Sequence, residues 1–597
     1  MPSSPGRKRF LVVVETLKVK DYLFASPFLR EVRGASMLLD KLNTHCVGKC
    51  LSKTTWSGGV EEVYFGGGSG RALFEKREEA DAFAARVKDL YREYTVNARV
   101  SAPVEERREG ENFAGWVARA VGRSREEKLA GGWAGPAVGG RWVRPCTSCG
   151  AFPAERPMAD IQGEHMLCRS CHCKRTEINY FYRYEKCNCS RWLPVNLEKI
   201  RNERPDFILS FLAGELDRRY GSGTELLLLP VDFDDIGEAS RPGNYMGLIY
   251  ADGNRMGEVV KGIGERFGDE EECKQAYRAF SEIVDRATKE AAAEAVIKHV
   301  GFKEYDNIDI NDGEKWSSAA LLGATSFKEY DDIDINDGRK GKGRYVPAEF
   351  IMAGGDDLIL AVPAHCAVET AATFLELFHE KTKLLQQEWI AYGRLKRPFR
   401  EEGLSTSAGV VVSHCTYPAV MLVELASELM KSAKRREAQE GCAMGTLDFM
   451  VEHSSVSESL KTRRKEYERR HDGETVMLTE RPYTPDETRR LVETIRKMKK
   501  ESFPRGKLEA LYSSLFQDNV LQARFDSISL LARLKDGGTL TSENTTENPF
   551  VSFFFGTGKF DVDRFPFRRR GGRCASPLSE LVELYDFVHP RRQGTAP

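Results

Sequence analysis

Three aspartates and a lysine stand at spacings suited to phosphoryl transfer. Asp356 and Asp357 follow Gly354 and Gly355, with apolar runs at 350–353 and 358–362 on either side. This pattern predicts a β-hairpin with two carboxylates at its tip. The glycines let the chain reverse and leave room for a triphosphate against the backbone. Asp252 closes another apolar run, 246–251, and is followed by Gly253 and Asn254. Adjacent carboxylates suit Mg2+ or Mn2+, cations that prefer oxygen ligands and bridge them to phosphates. Two-metal transfer needs acidic ligands from two neighbouring strands, which Asp252 and the Asp356–Asp357 pair would supply. A cation must also offset the phosphate charge, a role open to Lys434 or Lys431. Alone, Gly-Gly-Asp-Asp reads equally well as an ordinary acidic turn.

The elements around these residues favour chemistry. An apolar strand ends at Asp252, and an amphipathic helix is expected over 271–298. The Gly-Gly-Asp-Asp hairpin follows, then a strand at 404–412 and a helix at 418–436 carrying both lysines. This is the element order of a palm-type nucleotidyltransferase. Residues 8–100 read as a second α/β block, with a strand at 9–14 and helices at 27–42 and 76–94. Within it, 60–74 resembles the acidic hairpin with its aspartates replaced. Gly66, Gly67 and Gly68 at its tip would still admit phosphate or ribose near the backbone, so they are candidate nucleotide-site residues. The block reads as a duplicated palm that lacks metal ligands.

Cys146 and Cys149, then Cys168 and Cys171, form two CxxC knuckles at zinc-ribbon spacing. Four thiolates suit a tetrahedral, structural Zn2+. Cys173, Cys187 and Cys189, with His165 and His172 nearby, are either spare thiols or a second site.

With 597 residues the chain has room for roughly four domains. Lysine and arginine number 89 against 90 acidic residues, so no overall basic charge points to nucleic acid. No apolar run approaches the ~20 residues that span a bilayer. The first apolar run, 11–14, is short for a signal peptide, so a cytoplasmic protein with thiols rather than disulfides is expected. Residues 101–140 read as a linker, and 179–186 as a strand-forming aromatic segment with an RNA-stacking alternative. The unit 302–313 recurs at 327–338, which predicts a surface insertion at about 300–345. Beyond 451, helices are expected at 486–500, 507–517 and 519–534, with a basic patch at 568–573.

Together these parts resemble the large subunit of type III CRISPR effector complexes, the CRISPR polymerase with two palm domains. The resemblance rests on Gly354-Gly355-Asp356-Asp357, Asp252-Gly253-Asn254, the cysteine knuckles, Gly66-Gly67-Gly68 and the segment 22–36. It implies an α+β fold: two ferredoxin-like palms (8–140 with linker, 241–450), an intervening zinc-ribbon module and connector (141–240), and a helical C-terminal domain (451–597). It further implies synthesis of cyclic oligoadenylates from ATP in antiviral defence, triggered when guide RNA captures a foreign transcript. Partners would be guide-RNA-bearing complex subunits and target RNA, with no membrane. By position, Asp252 and Asp356 would be principal metal ligands, Asp357 an assisting one, and Gly253 a carbonyl ligand. Lys434 would meet the triphosphate, and Ser405 or Ser407 the nucleotide. The family's second strand aspartate is Asn254 here, an oxygen donor without charge. Many members begin with an HD nuclease domain; with the first palm strand near Phe10, DNase activity is not expected. Two alternatives stand beside this reading: a diguanylate-cyclase-like enzyme using GTP, and an idle scaffold for RNA-complex subunits, which Asn254 would favour.

Overall fold

The computed structural model describes residues 9–590 apart from 54–55, 131–141, 161–162, 182–191, 222–225, 268, 310–339, 454–457, 472–473, 501–502, 504, 517–521, 523, 530–551, 555–565 and 571–572. In the N-terminal block, β1 (Phe10–Leu17) is central, flanked by β3 (Ser69–Phe74) on one side and the short β4 (Arg99–Ser101) and β5 (Val104–Glu106) on the other. β2 (Val60–Gly66) completes the hairpin with β3. A two-stranded ribbon, β6 (Arg156–Asp160) and β7 (Gly163–Leu167), follows. β8 (Trp192–Asn196) and β9 (Leu226–Pro230) come next, and then β10 (Tyr245–Gly253) opens a second palm sheet. After β11 (Lys303–Asp309) and β12 (Lys340–Tyr345), that sheet is completed by β13 (Glu349–Gly354), β14 (Asp357–Pro363), β15 (Thr406–His414) and β16 (Leu447–Glu452). Its strand order is β13-β14-β10-β15-β16.

The registers of the two palm sheets correspond step for step. Glu15 pairs with Ser69 in one, and the rung after Ala251–Leu358 in the other sets Asp252 beside Asp357. Both hairpins carry an irregularity at the same step, Glu62/Tyr64 and Phe350/Met352. Both central strands lead into a left-handed residue that starts a helix, Lys18 (φ 51°) and Arg255 (φ 54°). Leu11 and Val13 face one apolar cluster and Val12 and Val14 another; Ile249 and Leu248 divide between the same two. The palms therefore share their cores, which couples their positions.

Helices hold the sheets in place. Glu270–His299 has three glutamates in its first turn and Lys298–His299 in its last, charges that favour the helix dipole. Its buried alanines, among them Ala291, Ala292 and Ala293, permit close packing on the helix Ala364–Ala391. Arg278 on the same helix donates to the carbonyls of Glu62 and Val63 in β2, so it grips the first palm too.

Several expectations need correction. The segment 101–140 is not a simple linker: Phe113–Ala130 is a helix whose Trp116 is fully buried and donates to the Glu105 carbonyl. Residues 179–181 finish the helix Arg169–Phe181 rather than starting a strand, and 182–186 lie outside the described residues. The first repeat is more than a surface excursion. Its described part contains β11, which pairs with β12 in a sheet shared with β8 and β9; 310–313 and the second repeat, 327–338, lie outside the described residues. The C-terminal region has helices at Pro485–Lys500, Arg505–Phe516 and Leu578–Tyr585, and it also carries a sheet. β17 (Glu468–His471), β18 (Glu474–Met477), β19 (Arg568–Arg570) and β20 (Arg573–Ala575) make that sheet, in the order β17-β18-β20-β19. Arg568, in the basic patch at 568–573, is paired with the buried Glu480.

Candidate active site

β10 and the β13–β14 hairpin end together, and this brings the three aspartates to one edge of the sheet. Asp252 is the penultimate residue of β10, Asp357 opens β14 one rung from the Ala251–Leu358 pair, and Asp356 occupies the turn. A Cβ added to Gly253 would come within 2.8 Å of Asp356 Oδ2, so the glycine makes room for that carboxylate. Lys434, on the helix Ala419–Glu440, donates to Asp252 Oδ2 and to the Gly253 carbonyl, each at 2.7 Å. Burial, reinforced by the charge of Asp252, pushes Asp356 up to about 6 and Asp357 up to about 8. Three carboxylates held this close carry more negative charge than Lys434 offsets, the state a divalent cation relieves. Asp252, Asp356 and Asp357 are thus the residues that could hold Mg2+ or Mn2+.

The hairpin tip is fixed from two sides. Gly355 donates its N–H to Asp285 Oδ1 at 2.9 Å, and its carbonyl accepts from Thr288 Oγ1 at 2.7 Å. Both partners lie on the helix Glu270–His299. Opposite stands the first-palm hairpin, where a Cβ on Gly67 would lie 2.9 Å from the Gly355 Cα. Gly67 (φ 57°) and Gly355 (φ 60°) are both left-handed, so glycine is required for conformation as well as space. Gly67 thus approaches the other hairpin's backbone, and Gly66 and Gly68 flank that contact.

The other expected residues stand beside the centre. Asn254 is buried and donates through Nδ2 to Ser405 Oγ at 3.2 Å, while its Oδ1 is buried with no hydrogen-bond partner among the described residues. Ser405 and Ser407 are buried as well, Ser407 opposite Asp252 in the β10–β15 register. Lys431 is exposed one turn before Lys434.

Sequence reading missed four participants. Asp285 and Thr288 looked like ordinary helix residues, and only tertiary packing brings them to Gly355. Glu15 takes the place of Asp252 in the first palm and accepts from Ser124 Oγ at 2.6 Å. The shared spacing from Glu15 to Lys18 and from Asp252 to Arg255, each ending in the residue that begins a helix, was the available signal. Lys20, from the first-palm helix Val19–Leu23, reaches the second palm: its Nζ lies 4.1 Å from the Tyr250 ring centroid and donates to Ser427 Oγ at 3.1 Å.

Cys146, Cys149, Cys168 and Cys171 bring their sulfurs within 4.8 Å of one another. Zinc–sulfur bonds of about 2.3 Å in a tetrahedron place sulfurs about 3.8 Å apart, and Cys149 and Cys168 stand 3.8 Å apart. The geometry fits zinc. Proximity to Cys146 and Cys149 pushes the Cys168 and Cys171 thiols up, a conflict that a bound cation removes. Cys173 and His165 and His172 are outside this cluster, while Cys187 and Cys189 lie outside the described residues. Among the described residues, no helix is long and apolar enough to cross a membrane.

Comparison with known proteins gives one family match: residues 245–443 fit the Cas10/Cmr2 second palm domain. No curated protein matches. Among solved structures, a Csm1-Csm4 cassette in complex with pppApA aligns at 14% identity and TM-score 0.49, covering 98% of this chain and 70% of that one. A Csm1-Csm4 cassette in complex with cA4 aligns at 14% and 0.48, covering 97% and 70%. Csm1 in T. onnurineus aligns at 13% and 0.47, covering 98% and 70%. The family match therefore concerns residues 245–443, which are similar to the Cas10/Cmr2 second palm domain.

Proposed function

We propose that this protein is a metal-dependent nucleotidyltransferase that makes cyclic oligoadenylates from ATP, as a large subunit of a type III CRISPR complex. The observation that carries the reading is the meeting of Asp252, Asp356 and Asp357 at adjacent strand ends beside Lys434. The family match over the second palm supports the nucleotidyl-transfer class, and the sequence resemblance supports ATP. Asp252, Asp356 and Asp357 would hold Mg2+ or Mn2+, which would neutralise phosphate charge and acidify the attacking hydroxyl. Lys434 would exchange its contact with Asp252 for the β- and γ-phosphates. Gly354 and Gly355 keep side chains out of the path of the nucleotide, while Asp285 and Thr288 hold the tip still. The 3′-hydroxyl of one ATP attacks the α-phosphate of another, and pyrophosphate leaves. Guide-RNA-bearing subunits and target RNA would be the partners, and the four cysteines would hold a structural zinc.

Asn254 is the residue that favours an idle scaffold, but its hydrogen bond to Ser405 gives it a structural use and leaves three carboxylates for metal. Incubation with ATP and Mg2+ or Mn2+, with and without cognate RNA assembly, should give cyclic oligoadenylate by chromatography. Asp356→Ala/Asp357→Ala should lower the rate at least about 100-fold. No product under any condition, or a double variant as active as wild type, would refute the proposal. Product from GTP alone would favour the diguanylate-cyclase reading.

A further inference from the structure

Lys20 belongs to the first palm, yet its amine lies in the second. Tyr250 and Asp252 are two residues apart on β10 and project from one face of the sheet. Ser427 and Lys434 are seven residues apart on the helix Ala419–Glu440 and share one face of it. Lys20 Nζ contacts the first member of each pair, the Tyr250 ring and the Ser427 hydroxyl, and Lys434 Nζ contacts Asp252. The two ammonium groups therefore border the carboxylates on the same side of the site. The charged groups that act on Lys20 are Asp357, Lys431, Asp252 and Lys128. Burial lowers its affinity for a proton, while the two aspartates oppose that loss.

A cation–π contact and one hydroxyl leave an ammonium short of its three acceptors. The half-buried amine thus keeps donor capacity within electrostatic reach of Asp357 and Asp252. The sequence could not reveal this, since Lys20 and Ser427 are 407 residues apart.

We propose that Lys20 is a second phosphate-contacting cation of the nucleotide site, supplied across the interface by the first palm. The proposal rests on the nucleotidyltransferase reading of the acidic centre and assigns a chemical task to the palm that lacks the aspartates. Triphosphate would then bind tightly only when the two palms are docked, because one of its two cations comes from each.

The test uses the full chain with Mg2+, an ATP analogue whose α,β bridge resists cleavage, and adenosine. Lys20→Ala should weaken analogue binding by about 10-fold or more, the usual effect of losing a charged hydrogen bond. Adenosine, which has no phosphate, should bind within about twofold of wild type, and Lys20→Arg should recover most of the analogue affinity. Lys20→Met, which keeps the apolar stem over Tyr250, should behave as Lys20→Ala; it decides the matter if the alanine variant fails to fold. Unchanged analogue binding in both neutral variants overturns the proposal. Equal weakening of analogue and adenosine also overturns it, since Lys20 would then only hold the palms together. A wild type that binds the analogue but makes no cyclic product refutes the activity proposed above, and the Lys20 contrast still decides this one. A wild type that binds no triphosphate overturns both.

Discussion

Asp356 and Asp357 hold their protons more tightly than a free aspartate, at about 6 and about 8, because burial and the charge of Asp252 disfavour a second and third anion. A raised carboxylate pKa means that the metal-free folded chain binds more protons than the unfolded chain. The contribution of these two groups to stability should therefore be fully present below the ordinary aspartate range and be lost as pH rises from about 4 through about 8. Mg2+ must displace these protons, so its apparent affinity should climb with pH and level off above about 8. Calorimetric Mg2+ titration in buffers of different ionisation heat checks both points; pH-independent affinity without proton release would contradict them. Lys434→Ala should act differently from the aspartate variants. It removes the ion pair from Lys434 to Asp252, so metal affinity should hold or rise while the KM for ATP rises about 10-fold or more. These four residues were legible in the sequence because each stands at the end of a recognisable apolar run or on the helix that follows. Lys20 was not, because nothing local marks a lysine whose partners come from another domain.

At the scale of elements, the two glycine hairpins depend on each other. Gly67→Ala would add a left-handed residue penalty of about 1–2 kcal/mol and a methyl 2.9 Å from the Gly355 Cα. Gly110 (φ 74°) is also left-handed but has nothing within 4 Å of its added Cβ. Gly110→Ala therefore carries the conformational cost alone. Thermal unfolding should show a larger loss for Gly67→Ala than for Gly110→Ala, and only the first should impair nucleotidyl transfer. Equal effects on both would mean that the hairpin contact contributes nothing. Periodicity located the helix over 271–298 within a residue of its observed bounds, Glu270–His299, because its apolar positions repeat at helical spacing against a packed core. It did not reveal the sheet of β8, β9, β11 and β12. β9 and β12 pair across more than a hundred residues, and the separate segments carry no signal of a partner.

The whole molecule links the cysteine cluster to the acidic hairpin through buried polar contacts. Ser148, inside the first knuckle, donates to Glu31 Oε1 at 2.7 Å, and Arg175 Nε donates to the same oxygen at 2.6 Å. Glu31 and Arg33 share the helix Leu29–Lys41, and Arg33 forms a buried ion pair with Glu349, the first residue of β13. Removing zinc by chelation, or Cys171→Ser, should release one equivalent of metal per chain and lower the unfolding temperature by several degrees. Amide exchange should also quicken along Glu349–Gly354. Confinement of the faster exchange to residues 145–181 would show that the network does not transmit the loss. Buried ion pairs such as Arg175–Glu31 have a large desolvation cost and act chiefly when one partner is removed. Arg175→Met alone should therefore destabilise more than the paired replacement Arg175→Met/Glu31→Leu.

The sequence alone determined the chemistry available: three carboxylates for a hard metal, a lysine for phosphate, four thiols for zinc and a glycine hairpin that repeats the acidic one without its charges. These follow from residue type and short spacing, which local physics makes readable. Tertiary structure decided which groups meet. It buried Asn254, Ser405 and Ser407 beside the centre, set Gly67 against Gly355, and carried Lys20 from the first palm to Tyr250 in the second. Those placements arise from the close packing of two related sheets around shared cores, a property of the folded whole that no short stretch of chain encodes.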